Sequence, residues 1–196
     1  IFNKANSLKK ITVPAAYIIP PQFEDVIEVI KAHQIKFNIL NANKRLKVEK
    51  YRFTNLKFAP RPYEGRQLPS LNVESYSEHC EIQSGSLIVY TNQRQLRVIV
   101  NLLEPEASDS FVNWGFFNAF FERKEYAEAY VMEPYAKQMI KDDPALRNEF
   151  YKKVNDDEAF RNNSGERLDF FYKRSPFYDK GENVYPILRL MNKTSI

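Results

Sequence analysis

The densest group of side chains able to do chemistry is acidic. Glu104, Glu106 and Asp109 fall within Leu102-Leu103-Glu104-Pro105-Glu106-Ala107-Ser108-Asp109, directly before a run of aromatic residues that includes Trp114. Two carboxyl groups, one of them with raised proton affinity, are the minimum apparatus of a glycosidase-like hydrolysis. The same residue types also fix turns and cap helices, since short side-chain oxygens accept the unpaired amide hydrogens of a first helical turn. The group thus supports an independent hydrolase as one reading and a structural turn as the other.

Other chemistries find less material. The chain has two histidines, His33 and His79. A zinc hydrolase needs three protein ligands and an open position for water, and His33-Gln34-Ile35-Lys36 lacks the glutamate three residues on that a His-x-x-Glu ligand pair requires. His79-Cys80-Glu81 matches the His-x-Glu of the zinc deaminases, but the later Cys-x-x-Cys is absent. Ser77, His79 and Cys80 are neighbours, yet strand alternation puts His79 and Cys80 on opposite faces, which is poor geometry for a nucleophile and its base. The lone Cys80 excludes an internal disulfide, and the five glycines form no phosphate-cradling loop. No catalytic, cofactor-binding or metal-binding residue is therefore expected in this chain.

Behind these residues stands a chain of 196 residues, 43% hydrophobic, enough for one large domain or two small ones. Its formal charge of +4 is dispersed among interleaved acids. The one basic cluster, Lys44, Arg45, Lys47, Lys50 and Arg52, lies at strand spacing beside Glu49. It reads as a solvated surface, so a nucleic-acid partner is not expected. No apolar run is long enough to span a bilayer. The chain begins with Ile1, which suggests a processed or excised piece of something longer.

The elements that must carry these residues read as α+β, with three regions in a single module: 1–45, 46–103 and 104–196. The first is a short β-α-β unit, with strands at Val13–Ile19 and Ile35–Leu40 and a helix bearing Phe23, Val26, Ile27, Ile30 and His33 on one face. A crossover of that length makes the two strands parallel. The second is a mixed or antiparallel, sandwich-like β region. It contains an exposed loop at Ala59–Gly65, a turn at Ser84-Gly85-Ser86 and an apolar strand, Leu96–Leu103, expected to be central. The third is helical, beginning with an aromatic helix (Phe111, Trp114, Phe117, Phe120, Phe121) capped by Ser108 or Asp109. It continues with Tyr126–Lys141, broken or begun at Pro134, then Ala145–Val154 after Asp142-Asp143-Pro144, Asp156–Arg161 and Glu166–Arg174. The tail from Ser175 to Pro186 is too rich in turn formers to be regular, and its aromatics suggest that it packs back on the body.

Several runs taken together resemble a known family. Val13-Pro14-Ala15-Ala16-Tyr17-Ile18-Ile19-Pro20-Pro21, Val29–Ile35, Leu102–Ser110 with Trp114-Gly115-Phe116-Phe117, Gln93-Arg94, Tyr130-Val131-Met132-Glu133, Asp142–Leu146, Phe171–Pro176 and Tyr185-Pro186 are similar to the C-terminal region of bacterial zinc carboxypeptidase-like (carboxypeptidase A-type) metallopeptidases. The resemblance implies a non-catalytic module that packs on an upstream peptidase domain of the same polypeptide, with zinc bound in that domain and not here. It also implies export to a periplasmic or extracellular space. In a bacterial protein the acceptor patterns Asn162-Asn163-Ser164 and Asn192-Lys193-Thr194 would stay unmodified. On this reading Glu104, Glu106, Asp109, Trp114, Gln93 and Arg94 are candidates for ligand or interdomain contact. The alternative is a stand-alone glycan- or peptide-binding module that uses exposed members of Trp114, Tyr63, Tyr76 and Tyr90 as stacking platforms.

Overall fold

A computed structural model describes residues 9–122 and 127–192. Outside this set lie Ile1, Tyr126 at the expected start of the second C-terminal helix, and Lys193-Thr194 of the second acceptor pattern. The class is α+β, as the periodicities indicate. The chain divides into two compact units, one formed by Ile1–Glu122 with Asn183–Ile196 and the other by Arg123–Glu182.

The first unit is built on one six-stranded antiparallel sheet, ordered β2-β5-β1-β6-β3-β4. Its strands are β1 (Ala16–Ile19), β2 (Asn38–Ile39), β3 (Lys44–Phe58), β4 (Pro69–Ile82), β5 (Leu87–Tyr90) and β6 (Leu188–Leu190). Between β1 and β2 runs helix α1 (Glu24–Ala32), whose Val26, Ile27 and Ile30 are buried while Glu24 and Asp25 sit at its N-terminus, where the helix dipole favours negative charge. β1 and β2 each run antiparallel to β5. They therefore share a direction, as a β-α-β crossover demands, but β5 lies between them. His33 is the exposed C-cap of α1 and not part of its apolar face.

Alternation along the strands feeds two apolar faces. Tyr17, Ile19, Val89, Tyr51 and Phe53 meet α1 and the helix that follows β5, whereas Ala16, Ile18, Ile88, Val48 and Leu190 form a cluster on the other face. Burial on both faces explains why β1 reads as a continuous apolar run. β3 and β4 form a long hairpin with a register shift between Thr54 and Lys57, and Ala59–Gly65 lies in its exposed connection, as expected. The turn at Gly85 (φ +86°) also forms. It sends the chain from β4, at one edge of the sheet, to β5 at the other side.

Three expectations need correction. Leu96–Leu103 is helix α2, not a central strand. Ile99 and Leu103 lie four residues apart and are buried, while Arg97 and Val98 are exposed. The central place next to β1 goes instead to β6, from a segment beyond the irregular tail. The β-rich middle, expected to be sandwich-like, contributes to this single sheet. The aromatic stretch after the acidic turn is not a continuous helix but a series of turns leading into one 3-10 turn, Asn118–Phe121. Gly115 interrupts it at φ +73°, a conformation that glycine adopts without the cost carried by other residues. A Cβ at that position would sit 2.9 Å from Asn118 Nδ2. Ser110 caps the start, its Oγ accepting from Asn113 N at 3.0 Å. Phe111 and Phe117 are nevertheless core residues, as the apolar spacing predicts.

The second unit is helical, with α3 (Ala129–Asp142), α4 (Pro144–Asp156), α5 (Glu158–Asn162) and α6 (Ser164–Tyr172). α3 runs through Pro134. Asp143 caps α4 by accepting from Ala145 N and Leu146 N at 2.9 and 3.0 Å, with Pro144 in the first turn, where a missing N–H costs nothing. Asp157 and Asn163 cap α5 and α6 in the same way. Their core is aromatic: Phe150 contacts Phe160, Phe170 and Phe171, the last at 4.7 Å between ring centroids. The tail is shared. Tyr178 packs on Tyr172 in this unit, and Tyr185 packs on Phe53 and Phe117 in the first.

Candidate functional site

Of the three acidic candidates, Glu104 lies inside the first unit and the other two lie at its surface. As the C-cap of α2, Glu104 turns its carboxylate towards the sheet, where the residue is only 5% exposed. Tyr17 Oη donates to its Oε1 at 2.5 Å and Tyr51 Oη donates to its Oε2 at 2.9 Å. Arg189, 4% exposed on the central strand β6, brings its Nε within 3.1 Å of Oε1. That N–H makes no aligned hydrogen bond, so the contact is an ion pair. The guanidinium also donates to Glu49 and to the Thr12 carbonyl and lies 4.8 Å from the centre of the Tyr51 ring. A third tyrosine, Tyr185, donates to Leu103 O at 3.0 Å, one residue from Glu104.

The electrostatics of this cluster favour neutral phenols beside Arg189 and its two carboxylate partners, Glu104 and Glu49. Burial, reinforced by the negative charge of Glu104, holds the hydroxyls of Tyr17 and Tyr51 far above the ordinary tyrosine value of 10. Burial raises Tyr185 as well. All three are thus donors at neutral pH. Taking Arg189 and Glu104 out of water is costly, and the partners just named offset it. Tyr17 and Tyr51 are themselves 0% and 7% exposed. The arrangement ties α2, β1, β3 and β6 together around a carboxylate whose residue is only 5% exposed.

The remaining candidates are dispersed. Glu106 pairs with Lys9, and Asp109 accepts from Asn101 and Ser108 at 3.2 and 3.4 Å. Gln93 bridges the end of β5 to the segment before β2, exchanging two 2.9 Å hydrogen bonds with the backbone of Lys36 and donating to Tyr90 O. Arg94, beside it, is exposed. Trp114 is half-buried, with its ring 6.3 Å from that of Tyr63. Tyr76 and Tyr90 are half-buried as well.

Tyr17, Tyr51 and Arg189 were missed as partners of Glu104. The available signal was a lone arginine set in Ile187-Leu188-Arg189-Leu190, because a charge flanked by core residues must find a partner. Among the described residues no group of three or more His, Cys, Asp and Glu side chains is placed to hold a metal ion. Among them, too, no helix is long and apolar enough to cross a membrane. Cys80 is half-buried on β4, where burial raises its thiol, opposite to what a reactive cysteine needs.

Comparison with known proteins gives a partial similarity. No family profile matches the chain, and no solved structure matches it. Carboxypeptidase 2 of Trichophyton tonsurans and that of Trichophyton equinum are each 29% identical over 102 residues, which is 52% of this chain and 19% of theirs. Probable carboxypeptidase 2 of Arthroderma benhamiae is 26% identical over 96 residues, 49% of this chain and 18% of its own. These relatives are fungal, whereas the sequence resemblance pointed to bacterial proteins. The chain spans about a fifth of the length of the curated relatives it matches, and it is similar to part of proteins that bear the name carboxypeptidase.

Proposed function

We propose that this chain is a non-catalytic accessory module of a larger carboxypeptidase-like protein, packing on or modulating a peptidase domain in the same polypeptide. The observation that carries this reading is the similarity to a small share of proteins named carboxypeptidase 2. The buried, fully partnered Glu104 supports it, since the best-connected carboxylate is committed to holding strands together. On this reading the zinc and the catalytic glutamate of the enzyme belong to the other domain, the parent works outside the cell, and this chain alone cleaves nothing.

The test separates the two parts of the parent protein. The module and the remaining polypeptide, made individually and mixed, are expected to co-elute on size exclusion, and the peptidase part alone is expected to melt at a lower temperature. Separate elution, together with unchanged stability and activity of the peptidase part, would falsify the reading.

A further inference from the structure

The two edges of the sheet differ in length. β2, at one edge, has 2 residues, whereas β4, at the other, has 14, Pro69–Ile82, more than the usual 3–10 of a strand. In an antiparallel ladder every second residue of an edge strand turns its N–H and C=O away from its neighbour. Among the described residues, no backbone group from Ser70 to Ile82 is hydrogen-bonded outside the β3–β4 ladder. Glu74, Ser75, Ser77, Glu78 and His79 are all exposed, so both faces of the sheet are open beside this edge.

Charge selects the kind of strand that fits there. β4 carries Glu74, Glu78 and Glu81 and no lysine or arginine. β3, the neighbour it already has, carries six lysines and arginines against one acid, Glu49, and Lys50 Nζ meets Glu78 Oε2 at 3.0 Å. The chain thus pairs its acidic strand with a basic one. Glu74 and Glu78 lie four residues apart and so on one face. Glu78 stays half-exposed beside Lys50, and Glu81 accepts from Asn43 at 2.9 Å. Arg52, across the ladder from Glu74, lies over the Tyr76 ring at 5.8 Å. Another copy of β4 would bring its own carboxylates to the same edge, and like charges across a ladder repel.

We propose that the outer edge of β4 binds an extended, lysine- or arginine-bearing segment of a partner protein, which adds to the sheet as a further strand. Main-chain hydrogen bonds to the open groups of β4 supply the affinity, and the side chains beside them supply the selection. Carboxylates at 74 and 78 ask for cations four residues apart, with a β-branched residue between them opposite Tyr76.

The 196-residue protein is titrated with the labelled peptide KVTKTVTKTV, followed by fluorescence anisotropy, and with EVTETVTETV as its control. The protein carries a net charge of +4, so unspecific attraction would favour the acidic peptide. Saturable binding of the basic peptide alone is expected. Methylating alternate amide nitrogens of that peptide should abolish binding in one frame and spare it in the other, a signature of strand addition. Glu74→Lys should weaken binding about tenfold, with circular dichroism unchanged. No saturable binding of the basic peptide, equal binding of the acidic one, indifference to both methylation frames, or full affinity in Glu74→Lys overturns the proposal. So does sedimentation of the free protein as a dimer that the basic peptide dissociates, since the edge would then belong to a second copy.

Discussion

Glu104→Ala is the sharpest perturbation of the buried cluster. It removes the acceptor of Tyr17 Oη and of Tyr51 Oη and leaves Arg189 with Glu49 and the Thr12 carbonyl as its anchors. Each buried hydroxyl stripped of its partner costs about 1–3 kcal/mol, and breaking a buried ion pair on one side costs about 3–5 kcal/mol. These terms overlap, because the released groups partly re-pair, and a net loss of about 4 kcal/mol is expected. For a chain of this size that lowers Tm by roughly 12 °C, at about 3 °C per kcal/mol. Glu104→Gln keeps the volume and one acceptor but loses the charge facing Arg189, so about half the effect is expected. Tyr17→Phe alone should cost about 1.5 kcal/mol. Combined with Glu104→Ala it should add almost nothing, because the bond it removes has already gone. Urea and thermal unfolding of these four variants beside the unaltered protein provide the assay. A Glu104→Ala loss below about 1 kcal/mol, or full additivity with Tyr17→Phe, would refute the idea that this carboxylate braces the fold.

Raised tyrosines make a pH prediction. Burial lifts Tyr17, Tyr51 and Tyr185 above the unfolded value of 10, so folding favours their protonated forms. That contribution is whole below pH 10 and is lost as the pH rises beyond it, at about 1.4 kcal/mol per tyrosine per pH unit. Cooperative unfolding near pH 11 is expected, with these phenols ionising only as the fold is lost; smooth titration of all 12 tyrosines in folded protein, followed at 295 nm, would contradict it. Asp143→Ala removes the N-cap of α4 and should destabilise the helical unit by about 1 kcal/mol, measured by urea unfolding. Ending the chain before Val184 removes β6 and Arg189, and the sheet of the first unit should then fail to form, with loss of dispersion in its amide NMR spectrum. A native-like spectrum from the truncated chain would count against the central role given to β6.

Local signals carried much of this fold. Asp143-Pro144, the acidic start and apolar stripe of α1, and Gly85 each act through neighbours a few residues away, and each does in the structure what its chemistry dictates. α2 was misread because Val98-Ile99-Val100 favours strands, and eight residues give too few turns to separate a period of 3.6 from an apolar run. β6 is three residues long and follows a stretch of turn formers, so nothing local announces it. Phe111 and Phe117 are buried as their spacing predicts, whereas Trp114 is only half-buried and the backbone is irregular, because Gly115 at positive φ breaks the helix that the aromatic spacing suggests. Glu104 was named from its own turn, but Tyr17, Tyr51 and Arg189 reach it from 87, 53 and 85 positions away. Periodicity assigns a residue to a face and is silent about which residue stands opposite.

The place of β6 also bears on how the protein is made. Synthesis runs from the N-terminus, so β1 and β3 emerge before β6, and the strand that joins them is added only after all of Arg123–Glu182 has been translated. At ordinary elongation rates that interval lasts several seconds, during which each of the two strands has one edge without its neighbour. Such edges invite pairing with other nascent chains. The helical segment, whose contacts are local, has time to fold within that interval. The nascent chain thus has a window of vulnerability that closes only when Leu188–Leu190 arrive, and a chaperone that shields strand edges would have its use there.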